Sequence, residues 1–153
     1  VKIEVQAAQA HYVKAVVDMG IPVMAHIGFT PQFIHQLGGY KVQGRDPEHA
    51  KALVELAKQL DDMGVFSILL ELVPQSVSKA VTEAISVPSI GIGAGPHCDG
   101  QILVTQDICG LSPSPPRFVK QYADLSSEIK TAVSSYRDEV RARQFPGEQY
   151  SID

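Results

Sequence analysis

This chain predicts an α/β fold in which parallel strands alternate with helices. Short apolar runs recur at Val1-Lys2-Ile3-Glu4, Ile21-Pro22-Val23-Met24-Ala25-His26, Val65-Phe66-Ser67-Ile68-Leu69-Leu70-Glu71 and Ser89-Ile90-Gly91-Ile92-Gly93-Ala94-Gly95. Helical periodicity separates them, and strands joined by helices run parallel, so their exits share one edge. Each of the first three runs also stops on a group that can do chemistry: Glu4, His26 and Glu71. A core requires apolar strands but not a carboxylate or imidazole at several exits, so that shared edge reads as an enzyme's.

The elements follow in order. Residues 6–19 read as a helix, with Ala10, Val13, Val16 and Val17 as its apolar stripe and Gly20 to end it. Asp46-Pro47 starts the next helix, with an aspartate N-cap and a proline whose missing N–H costs nothing at the first position. Its buried face is Ala50, Leu53, Val54, Ala57 and Leu60, and Gly64 closes it. Asp18-Met19-Gly20-Ile21 and Asp62-Met63-Gly64-Val65 nearly repeat, as expected of one α/β unit used twice. A third helix spans 75–85, stopping before Val87-Pro88, and a last strand covers 102–104. The tail differs: Ser112-Pro113-Ser114-Pro115-Pro116 is a loop. Helical patterns follow at 118–122 and 128–143, the latter with Ile129, Val133, Tyr136 and Val140 on one face.

About five strands alternating with helices fit an open doubly wound sheet or part of a (β/α)8 barrel, which takes ~250 residues when whole. Chemical groups at several exits favour the barrel, because an open sheet loads only the ends beside one switch point. We expect a single domain, 1–153, with βα units over 1–110 and a loop with helices over 111–153. The chain opens with Val1 inside a strand, so we expect that the N-terminal part of a larger protein precedes it.

Composition narrows the function classes. The 153 residues are 44% hydrophobic and 20% charged, with net charge −4, which suits a globular core and disfavours nucleic acid or an anionic membrane as partner. No apolar run approaches the roughly 18 residues of a membrane span, and no signal peptide is recognisable. Cys98 and Cys109 lack metal spacing and read as reduced thiols of a cytoplasmic protein.

Lys2 and Glu4 share one face of their strand, pointing inward in a barrel, while Val1 and Ile3 lie under the helices. A Lys–Glu pair on a solvated edge strand is the plainer alternative. His26 alone would be a satisfied core histidine, but it precedes the turn-forming Ile27-Gly28-Phe29-Thr30-Pro31. Glu71 is the sharpest position: among Ile68-Leu69-Leu70 and Leu72-Val73 a carboxylate is costly to bury, the setting that strengthens a base. An ion pair with Lys2 competes with that role. Gly91-Ile92-Gly93-Ala94-Gly95 matches no phosphate-loop pattern and suits close packing or backbone approach to a ligand. Gly38-Gly39-Tyr40-Lys41-Val42-Gln43-Gly44-Arg45 carries two cations between glycines, as a mobile lid, an anion clamp or a solvated turn would.

Taken together, His26-Ile27-Gly28-Phe29-Thr30-Pro31-Gln32, Gly38-Gly39-Tyr40-Lys41-Val42-Gln43-Gly44-Arg45, Glu71-Leu72-Val73-Pro74, Gly91-Ile92-Gly93-Ala94-Gly95 and Asp99-Gly100-Gln101-Ile102-Leu103-Val104 resemble the ketopantoate hydroxymethyltransferase (3-methyl-2-oxobutanoate hydroxymethyltransferase) family over nearly the whole chain, including Phe145-Pro146-Gly147-Glu148. The resemblance implies the C-terminal portion of a TIM barrel of the phosphoenolpyruvate mutase-like group, from about the fourth strand on. It implies transfer of a hydroxymethyl group from 5,10-methylenetetrahydrofolate to 3-methyl-2-oxobutanoate in pantothenate synthesis, in a homo-oligomer, commonly a decamer. Glu71 would be the proton acceptor and Lys2 would contact the oxo acid. His26 would line the substrate pocket, and Glu4 would help hold a Mg²⁺ that polarises the substrate carbonyl and stabilises its enolate.

Two departures stand out. The family follows its Lys-x-Glu strand with a glycine pair, where this chain has Val5-Gln6, whose side chains would crowd the turn that positions Glu4. The two aspartates that bind Mg²⁺ directly in the family lie on earlier strands that this chain does not contain, so we expect little turnover from this polypeptide alone. Another Mg²⁺-dependent 2-oxo-acid lyase or aldolase, or an inactive barrel fragment, are the alternative readings.

Overall fold

The computed structural model describes residues 1–152. Strands β1 (Lys2–Glu4), β2 (Met24–Gly28), β3 (Ser67–Glu71), β4 (Ser89–Ile92) and β5 (Gly100–Gln101) form one sheet in the order β1-β2-β3-β4-β5, every neighbouring pair parallel. Helices α1 (Ala10–Asp18), α2 (Pro47–Asp62) and α3 (Gln75–Ala84) make the first three crossovers, while a loop without a helix joins β4 to β5. α1 lies against α2 and α2 against α3, so the helices advance in step with the strands. A doubly wound sheet reverses strand order at its switch point; this one never does. The arrangement is that of consecutive βα units of a (β/α)8 barrel.

Strand alternation sets the two faces. Ala25, Ile27, Ile68 and Leu70 are fully buried in a cluster with Val13, Leu53, Ala57, Leu60, Val77 and Val81 from the three helices. The opposite face carries, in register, Glu4 beside His26 beside Leu69, and one step further Glu71 beside Ile92. Fully burying one Leu or Ile contributes roughly 1.5–3 kcal/mol, so the helix-side layer holds the sheet and leaves the other face free to carry polar groups.

The helix boundaries have local causes. Asp46 accepts the backbone N–H of His49 at 2.8 Å and Pro47 occupies the first turn of α2, as the sequence predicts. The repeated Asp-Met-Gly device appears twice, with Met19 and Met63 capping α1 and α2 and the glycines after them at φ +80° and +89°. Leu56 joins the buried face of α2, where the sequence reading had stopped at its neighbours. The helix expected over 6–19 is split: a 3-10 turn at Ala7–Gln9 precedes α1.

Two expectations are corrected. The last strand is Gly100–Gln101, not 102–104. Asp99 accepts both the backbone N–H (2.8 Å) and the hydroxyl (3.0 Å) of Ser89, which locks the ladder at that point, and Val104 already precedes a new helix. Residues 118–122 form no helix, because the N–H of Tyr122 donates to Ile108 O at 2.8 Å rather than to a carbonyl one turn back. The stripe Ile129, Val133, Tyr136 and Val140 is exposed.

The chain falls into two compact units, Val1–Ile102 and the residues from Leu103 on. The second unit contains α4 (Thr105–Ile108), α5 (Leu125–Arg141) and a 3-10 turn at Glu148–Tyr150. Asp124 caps α5 by accepting Ser127 N (3.1 Å) and Oγ (2.7 Å), so the helix begins earlier than the 128 expected from periodicity. Phe145 stacks edge-on against Tyr136 at 5.3 Å between ring centres, which returns the tail to α5. No helix among the described residues is long and apolar enough to cross a membrane.

Candidate active site

Glu71 is the last residue of β3, and its side chain is 15% exposed at the carboxyl edge of the sheet. The next residue, Leu72, adopts φ +50°, a left-handed conformation rare for a side-chain-bearing residue, and its N–H bonds Ile92 O at 2.9 Å. Across the edge, the N–H of Phe29 donates to Glu71 O at 2.8 Å. That approach is possible because residue 28 is glycine at φ +89°: a Cβ there would stand 2.4 Å from Glu71 O.

His26 is 2% exposed, and its Nε2 lies 3.1 Å from Glu71 Oε2. The carboxylate is within ion-pair distance but off the axis of a ring N–H, so among the described residues neither His26 nitrogen has a hydrogen-bond partner. Buried imidazole nitrogens are normally satisfied, so two bare ones beside a carboxylate mark a place where a ligand can complete the hydrogen bonding. The competing ion pair of Lys2 with Glu71 is not formed: among the described residues His26 is the group within ion-pair distance of Glu71, and Lys2 has no ion-pair partner.

Glu4 is in register with His26 on the same face, and its Oε2 accepts the backbone N–H of Gln32 at 2.7 Å. Lys2 sits one repeat deeper, beside Met24, and is exposed on the edge strand. Ile3 packs on the core as expected, whereas Val1 is 65% exposed. Val5-Gln6 does not crowd the turn. Val5 is 1% exposed within the core, and Gln6 Nε2 donates to Thr30 Oγ1 at 2.7 Å, joining the exits of β1 and β2. Sequence reading missed this link and the Gln32–Glu4 contact, since both join segments more than twenty residues apart.

The structure thus brings together His26 and Glu71, with Glu4 beside them in the ladder, and leaves Lys2 unpaired. Magnesium takes six oxygen ligands. Among the described residues no three His, Cys, Asp or Glu side chains group to hold a metal ion, and Glu4 already spends one oxygen on Gln32. These residues alone do not fit a Mg²⁺ site.

The glycine run resolves toward packing. A Cβ on Gly95 would fall 2.5 Å from the Cβ of Gln75, so the glycine lets the β4 exit lie against the start of α3. Both cysteines are free, and burial pushes the Cys98 thiol up, away from reactive thiolate character.

The sequence profile of ketopantoate hydroxymethyltransferase matches residues 1–148. The chain belongs to the ketopantoate hydroxymethyltransferase family. It is 51% identical over 153 residues to a 3-methyl-2-oxobutanoate hydroxymethyltransferase of Geobacter metallireducens, covering 99% of this chain and 57% of that protein. It is 50% identical over 150 residues to the protein of the same name from Pyrobaculum islandicum, covering 98% of this chain and 58% of that one. The chain therefore spans a little over half the length of the curated family members it matches. Among solved structures, the YdjI aldolase of Escherichia coli K12 is similar over 70% of this chain and 45% of its own, at 22% identity and TM-score 0.41.

Proposed function

We propose that this chain carries the base and part of the substrate pocket of an enzyme that moves a hydroxymethyl group from 5,10-methylenetetrahydrofolate to 3-methyl-2-oxobutanoate, giving 2-dehydropantoate for pantothenate and coenzyme A synthesis. One observation carries the reading: the His26 imidazole, buried without hydrogen bonds, 3.1 Å from the Glu71 carboxylate at the exit of parallel strands.

Glu71 takes the proton from C3 of the 2-oxo acid, and the electron pair of that C–H bond moves into an enolate with its charge on the C2 oxygen. His26, beside that carboxylate, offers a ring nitrogen to the substrate oxygen, the contact its bare nitrogens lack. Lys2, which has no ion-pair partner among the described residues, balances the substrate carboxylate. The enolate carbon then bonds to the one-carbon unit. Both carbon–nitrogen bonds that tie this unit to the folate break, one giving way to the new carbon–carbon bond and the other to a water hydroxyl; the water proton and the proton taken up by Glu71 end on the two folate nitrogens. Glu4, with one oxygen on Gln32 N–H, contributes at most one carboxylate to a metal ion. A cytoplasmic homo-oligomer is part of the same proposal, by the family's habit.

The test is Glu71→Gln in the native protein. As a base, its loss lowers kcat by about 10²–10⁴-fold with KM and melting temperature nearly unchanged. A variant that melts early while the remaining folded enzyme keeps its kcat would make Glu71 structural. Product formation that does not need the folate would favour an aldolase of the same barrel type instead.

A further inference from the structure

Beside the strand exit lies a cavity of about 360 Å³, lined by Tyr40, Lys41, Val42, Arg45 and Leu72. Its wall begins at Leu72, one residue beyond the proposed base. The loop that supplies the other residues is tied down, not a free lid. Gly39 N donates to Ile34 O (2.9 Å), Gln43 N to Leu72 O (3.0 Å), and the buried Gln43 side chain to Lys41 O (2.8 Å). The Tyr40 ring packs edge-on against the buried Phe29 at 4.7 Å. Among the described residues, neither Lys41 nor Arg45 has a carboxylate partner. An anchored loop that holds two uncompensated cations and an aromatic ring around a cavity is complementary to an aromatic carboxylate.

We propose that this cavity receives the aminobenzoyl-glutamate tail of the reduced folate, with Lys41 and Arg45 meeting its glutamyl carboxylates and Tyr40 flanking its ring. The inference rests on the function proposed above and deepens it. The one-carbon unit sits at the pterin end of the folate and must reach the enolate formed at Glu71. The tail must then leave the site, and the Leu72 side of the edge offers a cavity with the right charge. Chains with several glutamates bring more carboxylates to the same two cations, so specificity for polyglutamyl folate follows.

Equilibrium binding to the native protein tests this, using tetrahydrofolate with one and with five glutamates, tetrahydropteroate, which lacks glutamate, and 3-methyl-2-oxobutanoate. Unmodified protein should bind the pentaglutamate several-fold more tightly than the monoglutamate, with the advantage shrinking as salt rises. Lys41→Gln/Arg45→Gln, with an unchanged circular dichroism spectrum, should bind the pentaglutamate at least about tenfold more weakly and leave tetrahydropteroate and the oxo acid unaffected. Equal binding of the two folates by unmodified protein overturns the proposal without needing the variant. So does a loss in the variant that falls equally on tetrahydropteroate, or on the oxo acid; in all three cases the proposed function stands. If unmodified protein binds no reduced folate at all, the function reading falls and this one with it.

Discussion

At position 28 a single hydrogen atom decides how close two strand exits can come. Glycine at φ +89° allows Phe29 N to donate to Glu71 O, and any Cβ would collide with that same carbonyl at 2.4 Å and with Val73 Cγ1 at 2.9 Å. Gly28→Ala should therefore cost about 1–3 kcal/mol in urea unfolding, through both the left-handed backbone and the collision. It should also lower kcat more than Gly20→Ala does, since nothing lies within 4 Å of a Cβ at position 20. Equal effects of the two alanines on kcat would show that the close approach at Glu71 does not matter to catalysis. Glu71 and His26 were both legible as candidates because a polar group at the end of an apolar run is conspicuous. Their pairing with each other, in place of Lys2 with Glu71, was not, since it depends on which strands are neighbours and in which register.

Among the elements, α5 shows most clearly how a cap overrides a periodicity reading. Ser127, through its hydroxyl and then its backbone N–H, holds the Asp124 carboxyl below the ordinary aspartate range, near 3.9 when unperturbed. The sign follows from linkage: a carboxyl lowered in the folded state adds stability that is fully present above its unfolded value and is lost as pH falls through its folded value. Acidification below about pH 4 should thus fray the start of α5, and Asp124→Asn should flatten that part of the pH dependence of helix content by circular dichroism. An unchanged acid limb in the variant would remove the cap from the explanation. The face Ile129, Val133, Tyr136 and Val140 has helical spacing yet is exposed, because periodicity reports which residues share a side and says nothing of what lies against it. The strand expected at 102–104 failed for a related reason. Ile102-Leu103-Val104 has strand composition, but Asp99 on Ser89 sets the register two residues earlier.

For the whole molecule, the sheet is open at β1 and β5, with five strands where eight close a barrel. Unpaired strand edges recruit other strands, so the purified 153-residue chain should associate with rising concentration, as light scattering would register. Among the described residues no carboxylates group into a metal site, and the chain spans 57% of its Geobacter relative. We therefore expect the chain by itself, given Mg²⁺ and 5,10-methylenetetrahydrofolate, to form no product above background; measurable turnover would refute this. What the amino-acid order determined alone was local and periodic: the alternation of strands and helices, the caps at Asp46 and Gly64, the chemical groups at the exits of β1, β2 and β3, and the motifs that mark the family. What only the tertiary structure decided was juxtaposition: His26 on Glu71, Gln6 on Thr30, Gln32 on Glu4, and two unpaired cations around a cavity beside Leu72. The physical reason is range. Propensity and capping act over a few residues along the chain, whereas strand register and loop anchoring act between segments that meet only when the core is buried.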